Sequence, residues 1–142
     1  MDLGISGRLA LVCSGSRGIG YAAAQRLANE GARVTIVART AESATRAVDS
    51  LRRETGGVIE GIAADLSTPA GRAEIVAAYP QTDILIAHAG TPQRPADFES
   101  LSRTDWDGWF DAHFYSALAG APFAFMTGQN IVVDGGAYPG LF

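Results

Sequence analysis

The 142-residue chain contains no lysine; its eleven basic residues are all arginine. No motif built on an ammonium side chain can be complete within it. A single cysteine, Cys13, rules out an internal disulfide and fits a reducing, cytoplasmic setting. On an apolar strand it reads as a small apolar filler. Only two histidines occur, His88 and His113, and with no Cys or acid cluster beside them no metal site is expected. There is no block of basic residues and the net charge is −4, so neither nucleic acid nor an anionic membrane is an expected partner. Gly, Arg, Asp or Glu interrupts every apolar stretch, which argues against a transmembrane run or a signal peptide.

What is present is an ordinary globular composition, 47% hydrophobic and 18% charged. One domain over residues 1–142 is expected, and a chain of this size buries about 68–70% of its unfolded surface without staples. Residues 9–20, Leu-Ala-Leu-Val-Cys-Ser-Gly-Ser-Arg-Gly-Ile-Gly, organise the rest. Leu9, Leu11 and Val12 suit a buried strand, Gly15, Gly18 and Gly20 punctuate a tight turn, and Ile19, Ala22, Ala23 and Leu27 recur at helical spacing. Strand, glycine-rich turn and helix make a place where backbone passes close to a pyrophosphate and free N–H groups point at it. A glycine-rich turn with no ligand is the competing reading.

Beyond Gly31, a plausible helix terminator, Arg33–Val37 reads as a second strand and Thr40 as the cap of a helix with apolar positions Ala44, Val48 and Leu51. A third strand is expected over Val58–Ala64, closed by Asp65-Leu66. Thr68-Pro69 opens a helix that turns Ile75, Val76 and Tyr79 inward, and a fourth strand is expected over Asp83–Ala87. Strands alternating with helices predict an α/β, doubly wound parallel sheet with right-handed crossovers.

Together these motifs resemble the short-chain dehydrogenase/reductase family, and within it 3-oxoacyl-[acyl-carrier-protein] reductases and their relatives, over residues 3–118 and again over 121–142. The family's T-G-x-x-x-G-x-G is Cys13-Ser14-Gly15-Ser16-Arg17-Gly18-Ile19-Gly20 here, with Cys13 for the threonine and Ser14 for the first glycine. Asp65-Leu66 matches the pair whose acid contacts the adenine amine. Ala87-His88-Ala89-Gly90 stands where the family has N-N-A-G, and Thr127–Gly136 resembles its last strand and D-G-G turn. The resemblance implies a Rossmann-like fold; with the family's fifth and sixth strands missing here and the fourth helix as a right-handed crossover, five strands in the order 3-2-1-4-last are expected, the last being Asn130–Asp134. It also implies a dinucleotide site built from Ser14, Ser16, Arg17, Gly18, Ile19, Gly20, Arg39, Asp65, Leu66, His88, Ala89 and Gly90. His88 is open between a cofactor-side donor and a strand-end residue satisfied by backbone.

NAD-specific members place an acid at the end of the second strand, where it takes both ribose hydroxyls. Here that place is Ala38, followed by Arg39. A missing carboxylate removes repulsion against a 2′-phosphate, a guanidinium supplies a forked charged partner, and Arg17 can reach the same group. The expectation is NADP(H) in preference to NAD(H); the competing reading makes Arg39 a solvated loop arginine.

Ser102-x-x-Asp105 resembles a capping box opening a fourth helix, whose apolar stripe is Trp106, Trp109, Phe110, His113, Phe114 and Ala117. By the same resemblance His113 occupies the position of the family asparagine that helps hold the proton-relay water, and it reads as a packed core residue rather than a catalyst. After Leu118 the family continues through a catalytic serine, Tyr-x-x-x-Lys and a substrate lid. Here Leu118–Gly128 runs directly into the tail, so roughly 100 residues of the family pattern are missing at a junction near 118–121. Four residues after Tyr21, Tyr79, Tyr115 and Tyr138 stand Gln25, Asp83, Ala119 and Phe142, none of them cationic. Three readings follow: a noncatalytic dinucleotide-binding or interaction module, an oxidoreductase improvised from His88, His113 or Tyr115, and part of a full-length NADPH-dependent reductase. The outer face of the 103–125 helix, without its family covering, is expected to self-associate.

Overall fold

A computed structural model of the chain describes residues 3–88 and 100–110. Four strands, β1 (Leu9–Cys13), β2 (Arg33–Ala38), β3 (Ile59–Ala63) and β4 (Ile84–Ile86), alternate with α1 (Gly18–Asn29), α2 (Ala41–Thr55) and α3 (Pro69–Ala78); α4 (Arg103–Trp109) follows. All pairings are parallel, in the order β3-β2-β1-β4. Leu9 stands opposite Arg33 and Ala10 opposite Ile84, so β1 is central and buried on both faces.

Side-chain alternation along the strands sorts the core into two layers. Ala10 and Val12 of β1, with Val34, Ile36 and Ile59, pack against Ala24 and Ala28 of α1 and Ala47, Val48 and Leu51 of α2. Leu11 and Cys13 point the other way, with Val37, Ala64 and Leu66, onto Ile75 of α3 and its neighbour Tyr79. Helices α1 and α2 therefore cover one face and α3 the other. The reversal of strand order falls between β1 and β4, and the crevice outside the strand ends there is where such sheets bind ligands.

Three expectations are corrected. The buried face of α1 is Gly20, Ala24 and Ala28, whereas Ala22 is exposed and Ile19 is 68% exposed. The third strand is one residue shorter at each end, Ile59–Ala63, although the Val58 carbonyl still accepts from the Val34 N–H and the Ala64 N–H still donates to the Ala38 carbonyl, both at 2.9 Å. The fourth shortens to Ile84–Ile86, although the Asp83 N–H still donates to the Leu9 carbonyl at 3.0 Å; the Leu9 N–H is taken by the Asp83 carboxylate at 2.8 Å. The expected helix over 103–125 is described through Phe110, with Trp106 and Phe110 37% and 47% exposed. His113, the Asn130–Asp134 strand and the junction near 118–121 lie outside the described residues.

Candidate functional site at the carboxyl ends of the strands

The β1–α1 turn is shaped by how closely its backbone passes its neighbours. The Gly15 N–H donates to the Val37 carbonyl at 3.1 Å, pulling the turn against β2. A Cβ on Gly15 would lie 2.7 Å from Ile36 Cβ and Cγ2, and one on Gly20 would run into the Ser14 carbonyl oxygen. Only glycine lets the helix start this close to the strand end. Gly18 differs: its φ is +59° and a Cβ there would meet nothing within 4 Å. Its need is conformational, and the space beside it is open. Ser14 sits at φ +54° with a side chain attached, the one non-glycine residue with positive φ among the described residues. Glycine holds that conformation without strain, whereas a serine there costs on the order of 1–3 kcal/mol.

The start of α1 is also unlike the other helix starts. Thr40 accepts from the Ser43 N–H at 3.2 Å, Thr68 from the Gly71 N–H at 3.1 Å, and Ser102 with Asp105 forms a complete capping box. Arg17, at the corresponding place before α1, is extended and makes no side-chain cap, and the first turn of α1 carries no acid. Its N–H groups open toward a cleft with both their hydrogen-bonding capacity and the positive end of the helix dipole uncompensated.

That cleft has a volume of about 1140 Å³. Ser14, Ser16, Arg17, Gly18 and Ile19 form its floor, Ala38, Arg39 and Thr40 one wall, and His88 the side toward β4. Arginines 17, 39 and 46 line it and no carboxylate is among its lining residues, although Glu42 pairs with Arg46 at 3.8 Å beside it. Ile19, an expected cofactor-site residue, lines the cleft and is exposed.

Other expected site residues are placed differently. Gly20 is buried under the turn and shapes it from below. The Asp65 carboxylate folds back on its own loop, with Oδ1 accepting from the Ser67 hydroxyl at 2.7 Å and the Ser67 N–H at 3.0 Å. These bonds, with a smaller contribution from nearby Arg39, hold its pKa below the usual carboxylate value. The Leu66 side chain belongs to the core, leaving only its backbone for a ligand. Ala89 and Gly90 lie outside the described residues. Sequence reasoning missed Tyr21, Thr40, Ser43, Arg46 and Ser50 as cleft residues. The signal was the spacing of Ser43, Arg46 and Ser50, a polar stripe beside the apolar one of α2.

Among the described residues, no three His, Cys, Asp or Glu side chains are grouped to hold a metal. None of the described helices is long and apolar enough to cross a membrane. Cys13 is buried beneath the cleft floor, and burial pushes its thiol up to about 11, so it is a neutral filler at pH 7.

Comparison with known proteins agrees with this geometry. The short chain dehydrogenase family model matches residues 8–127. A 3-oxoacyl-[acyl-carrier-protein] reductase of rhamnolipid biosynthesis from Pseudomonas aeruginosa is 41% identical over 107 residues, covering 72% of this chain and 41% of that protein. The oxidoreductase YvaG of Bacillus subtilis is 34% identical over 119 residues, covering 83% and 45%. Among solved structures, L-sorbose reductase from Gluconobacter frateurii, complexed with NADPH and L-sorbose, superposes with a TM-score of 0.78 at 32% identity over 85% of this chain and 47% of that one. The RhlG/NADP complex of Pseudomonas aeruginosa gives 0.73 at 37% identity over 82% and 46%. The chain thus spans a little under half the length of these relatives. With a parallel 3-2-1-4 sheet, a glycine turn at its switch point and a family match over most of its length, the chain belongs to the short-chain dehydrogenases.

Proposed function

We propose that these residues form the nicotinamide-dinucleotide-binding half of a short-chain dehydrogenase, one that takes NADP(H) in preference to NAD(H). The observation that carries the reading is the start of α1. It is the one described helix without a side-chain cap or a first-turn acid, it opens beside Gly18 where no atom stands within 4 Å of a Cβ, and it faces a cleft lined by arginine. A pyrophosphate supplies the acceptors those N–H groups lack. In this reading Ser14, Ser16, Arg17, Gly18 and Ile19 receive the pyrophosphate, with Gly20 holding the helix close. Arg39 and Arg17 take the 2′-phosphate, Asp65 and the Leu66 backbone meet the adenine, and His88, Ala89 and Gly90 border the cofactor on the β4 side. Relatives solved with NADPH and with NADP support this class of ligand.

Bound there, the dinucleotide supplies hydride for a carbonyl/alcohol pair. Family-like reduction also needs a general acid, commonly worth about 10²–10⁴-fold, and a group that orients the carbonyl. The sequence has no lysine and hence no Tyr-x-x-x-Lys. The 142 residues by themselves therefore bind cofactor without turnover at a family-like rate, and His113 has no part in chemistry. A second reading, part of a longer active reductase, draws on the span of under half its relatives' length. The intact mass of the native protein separates the two.

The test is fluorescence titration of NADPH and NADH, in wild type and in Arg39→Ala. A charge-assisted hydrogen bond is worth about 1.5–3 kcal/mol, so wild type should favour NADPH about tenfold or more, and the substitution should narrow that margin. Equal wild-type affinities would sink the cofactor reading. Oxidation of NADPH at about 1 s⁻¹ or faster with 3-oxoacyl thioesters, quinones or small ketones would overturn the claim of inactivity. The exposed Trp106 and Phe110 belong with self-association through the 103–125 segment, and a clean monomer in sedimentation at high concentration would remove that part.

A further inference from the structure

The cleft holds one arginine more than a 2′-phosphate at the end of β2 calls for. Arg17 precedes α1 and Arg39 follows β2, but Arg46 stands in the second turn of α2, beyond the place where cofactor preference is ordinarily read. It shares a helix face with Ser43, Ala47 and Ser50, at spacings of three and four residues, and all four line the cleft. Ala47 is core, so the part of this face that meets the cleft is polar.

Two facts describe what Arg46 does there. Long helical side chains lie back over the turn N-terminal to their own Cα, which carries Arg46 toward Glu42, at the end of α2 that follows Arg39 and Thr40 in the cleft lining. Its ion pair agrees with that direction: Nη2 lies 3.8 Å from Glu42 Oε1, with both side chains more than 70% exposed. Such a loose, solvated pair contributes at most a few tenths of a kcal/mol and is readily exchanged for a better acceptor. A phosphomonoester offers one, with nearly two negative charges near pH 7 and three strong acceptor oxygens.

We infer that Arg46 is a third phosphate-binding arginine, released from Glu42 to clamp the 2′-phosphate from the α2 side, so that preference for the phosphorylated cofactor is shared by three guanidiniums from three elements. This rests on the dinucleotide reading above and adds to it a residue and a latch. Glu42 competes with the ligand for Arg46, and its carboxylate repels the incoming phosphate.

The experiment measures the affinities of NADPH, NADH, adenosine 2′,5′-bisphosphate and adenosine 5′-monophosphate for wild type, Arg46→Gln, Arg46→Lys, Glu42→Gln and Arg39→Ala. Arg46→Gln should weaken NADPH and the bisphosphate about fivefold and change NADH and the monophosphate by less than about twofold, since the contact is to the extra phosphate. Arg46→Lys should fall between, because it keeps the charge and loses the fork. Glu42→Gln should tighten NADPH and the bisphosphate about twofold, and all variants should melt within a few degrees of wild type, as expected for exposed positions. Equal weakening of all four ligands by Arg46→Gln, or no weakening of any, overturns the inference. If wild type itself does not prefer NADPH, the cofactor reading has failed. If wild type prefers it and Arg39→Ala narrows the margin while Arg46→Gln does not, only the role of Arg46 falls.

Discussion

The two ends of the sheet are built in opposite ways. At the amino end the chain closes on itself. Asp83, just before β4, accepts from the Leu9 N–H at 2.8 Å and pairs with Arg8 at 3.0 Å, so the first residue of β1 finds its partner inside the protein. At the carboxyl end, the turn after β1 leaves the first N–H groups of α1 without a side-chain partner and sets three arginines around them. The same strand is thus sealed at its start and left open at its finish. An end with unmet donors and uncompensated positive charge is unfavourable alone and favourable with an anion in place. The contrast separates residues that hold the fold from residues that hold a ligand.

The largest effect should come from the geometry that lets the open end exist. Gly20→Ala places a methyl against the Ser14 carbonyl oxygen and forces α1 away from β1. Overpacking of backbone on backbone should cost about 3 kcal/mol or more, seen as a fall in Tm on the order of 10 °C and a loss of NADPH binding. A Gly20→Ala protein that melts and binds like wild type would show that the close approach is not needed.

Next is the dry layer under the cleft floor. The Cys13 thiol is raised from 9.0 to about 11 by burial, so the neutral form is favoured in the folded state. That contribution is fully present below pH 9 and is lost as pH rises toward 11, by about 2–3 kcal/mol. Denaturant unfolding at pH 8 and pH 11 should show the loss, and Cys13→Ala should reduce it, the raised Tyr21 phenol keeping the remainder, while lowering stability modestly at pH 8. An unchanged alkaline slope in the variant would contradict the burial argument.

Smaller, and of opposite sign, is the strain in the turn. Ser14→Gly relieves a left-handed residue and should raise stability by about 1 kcal/mol without weakening NADPH by more than about twofold. A destabilised variant would show that the serine side chain makes a compensating contact.

The smallest effect belongs to the sealed end. The Asp83 carboxyl is held below the usual carboxylate range, first by the Leu9 N–H and then by Arg8. Its contribution is present above about pH 4 and disappears as pH falls through the lower folded value. Asp83→Asn should therefore lower Tm slightly at pH 7 and leave NADPH affinity unchanged, with the difference from wild type vanishing in acid. A change in NADPH affinity would mean that the two ends are not independent.

Much of this contrast was legible in the sequence. The parallel sheet followed from alternating strand and helix signals and its 3-2-1-4 order from the family resemblance, and the caps at Thr40, Thr68 and Ser102 were visible as residue types at the right offsets. The buried face of α1 was not. Ala22, Ala23 and Ala24 are equally apolar, so periodicity cannot choose the helix phase; the close packing of Gly20 on the turn chooses it, and that throws Ile19 into the cleft. Asp65 matched its family motif, yet the sequence could not say that Ser67, two residues on, would engage its carboxylate. Arg46 was hidden because a charged residue on a helix reads as a solvated face, and only the neighbouring helix and turn make that face a wall.

The most direct test of the open end is a ¹⁵N NMR titration of the chain with NADPH, read amide by amide. The account predicts the largest shifts at Ser16 to Gly20 and at Arg39 and Thr40, where ligand oxygens meet unpaired N–H groups and guanidiniums, with little change at Leu9 and Asp83. Saturable shifts centred on other residues, or none at these at millimolar NADPH, would contradict it.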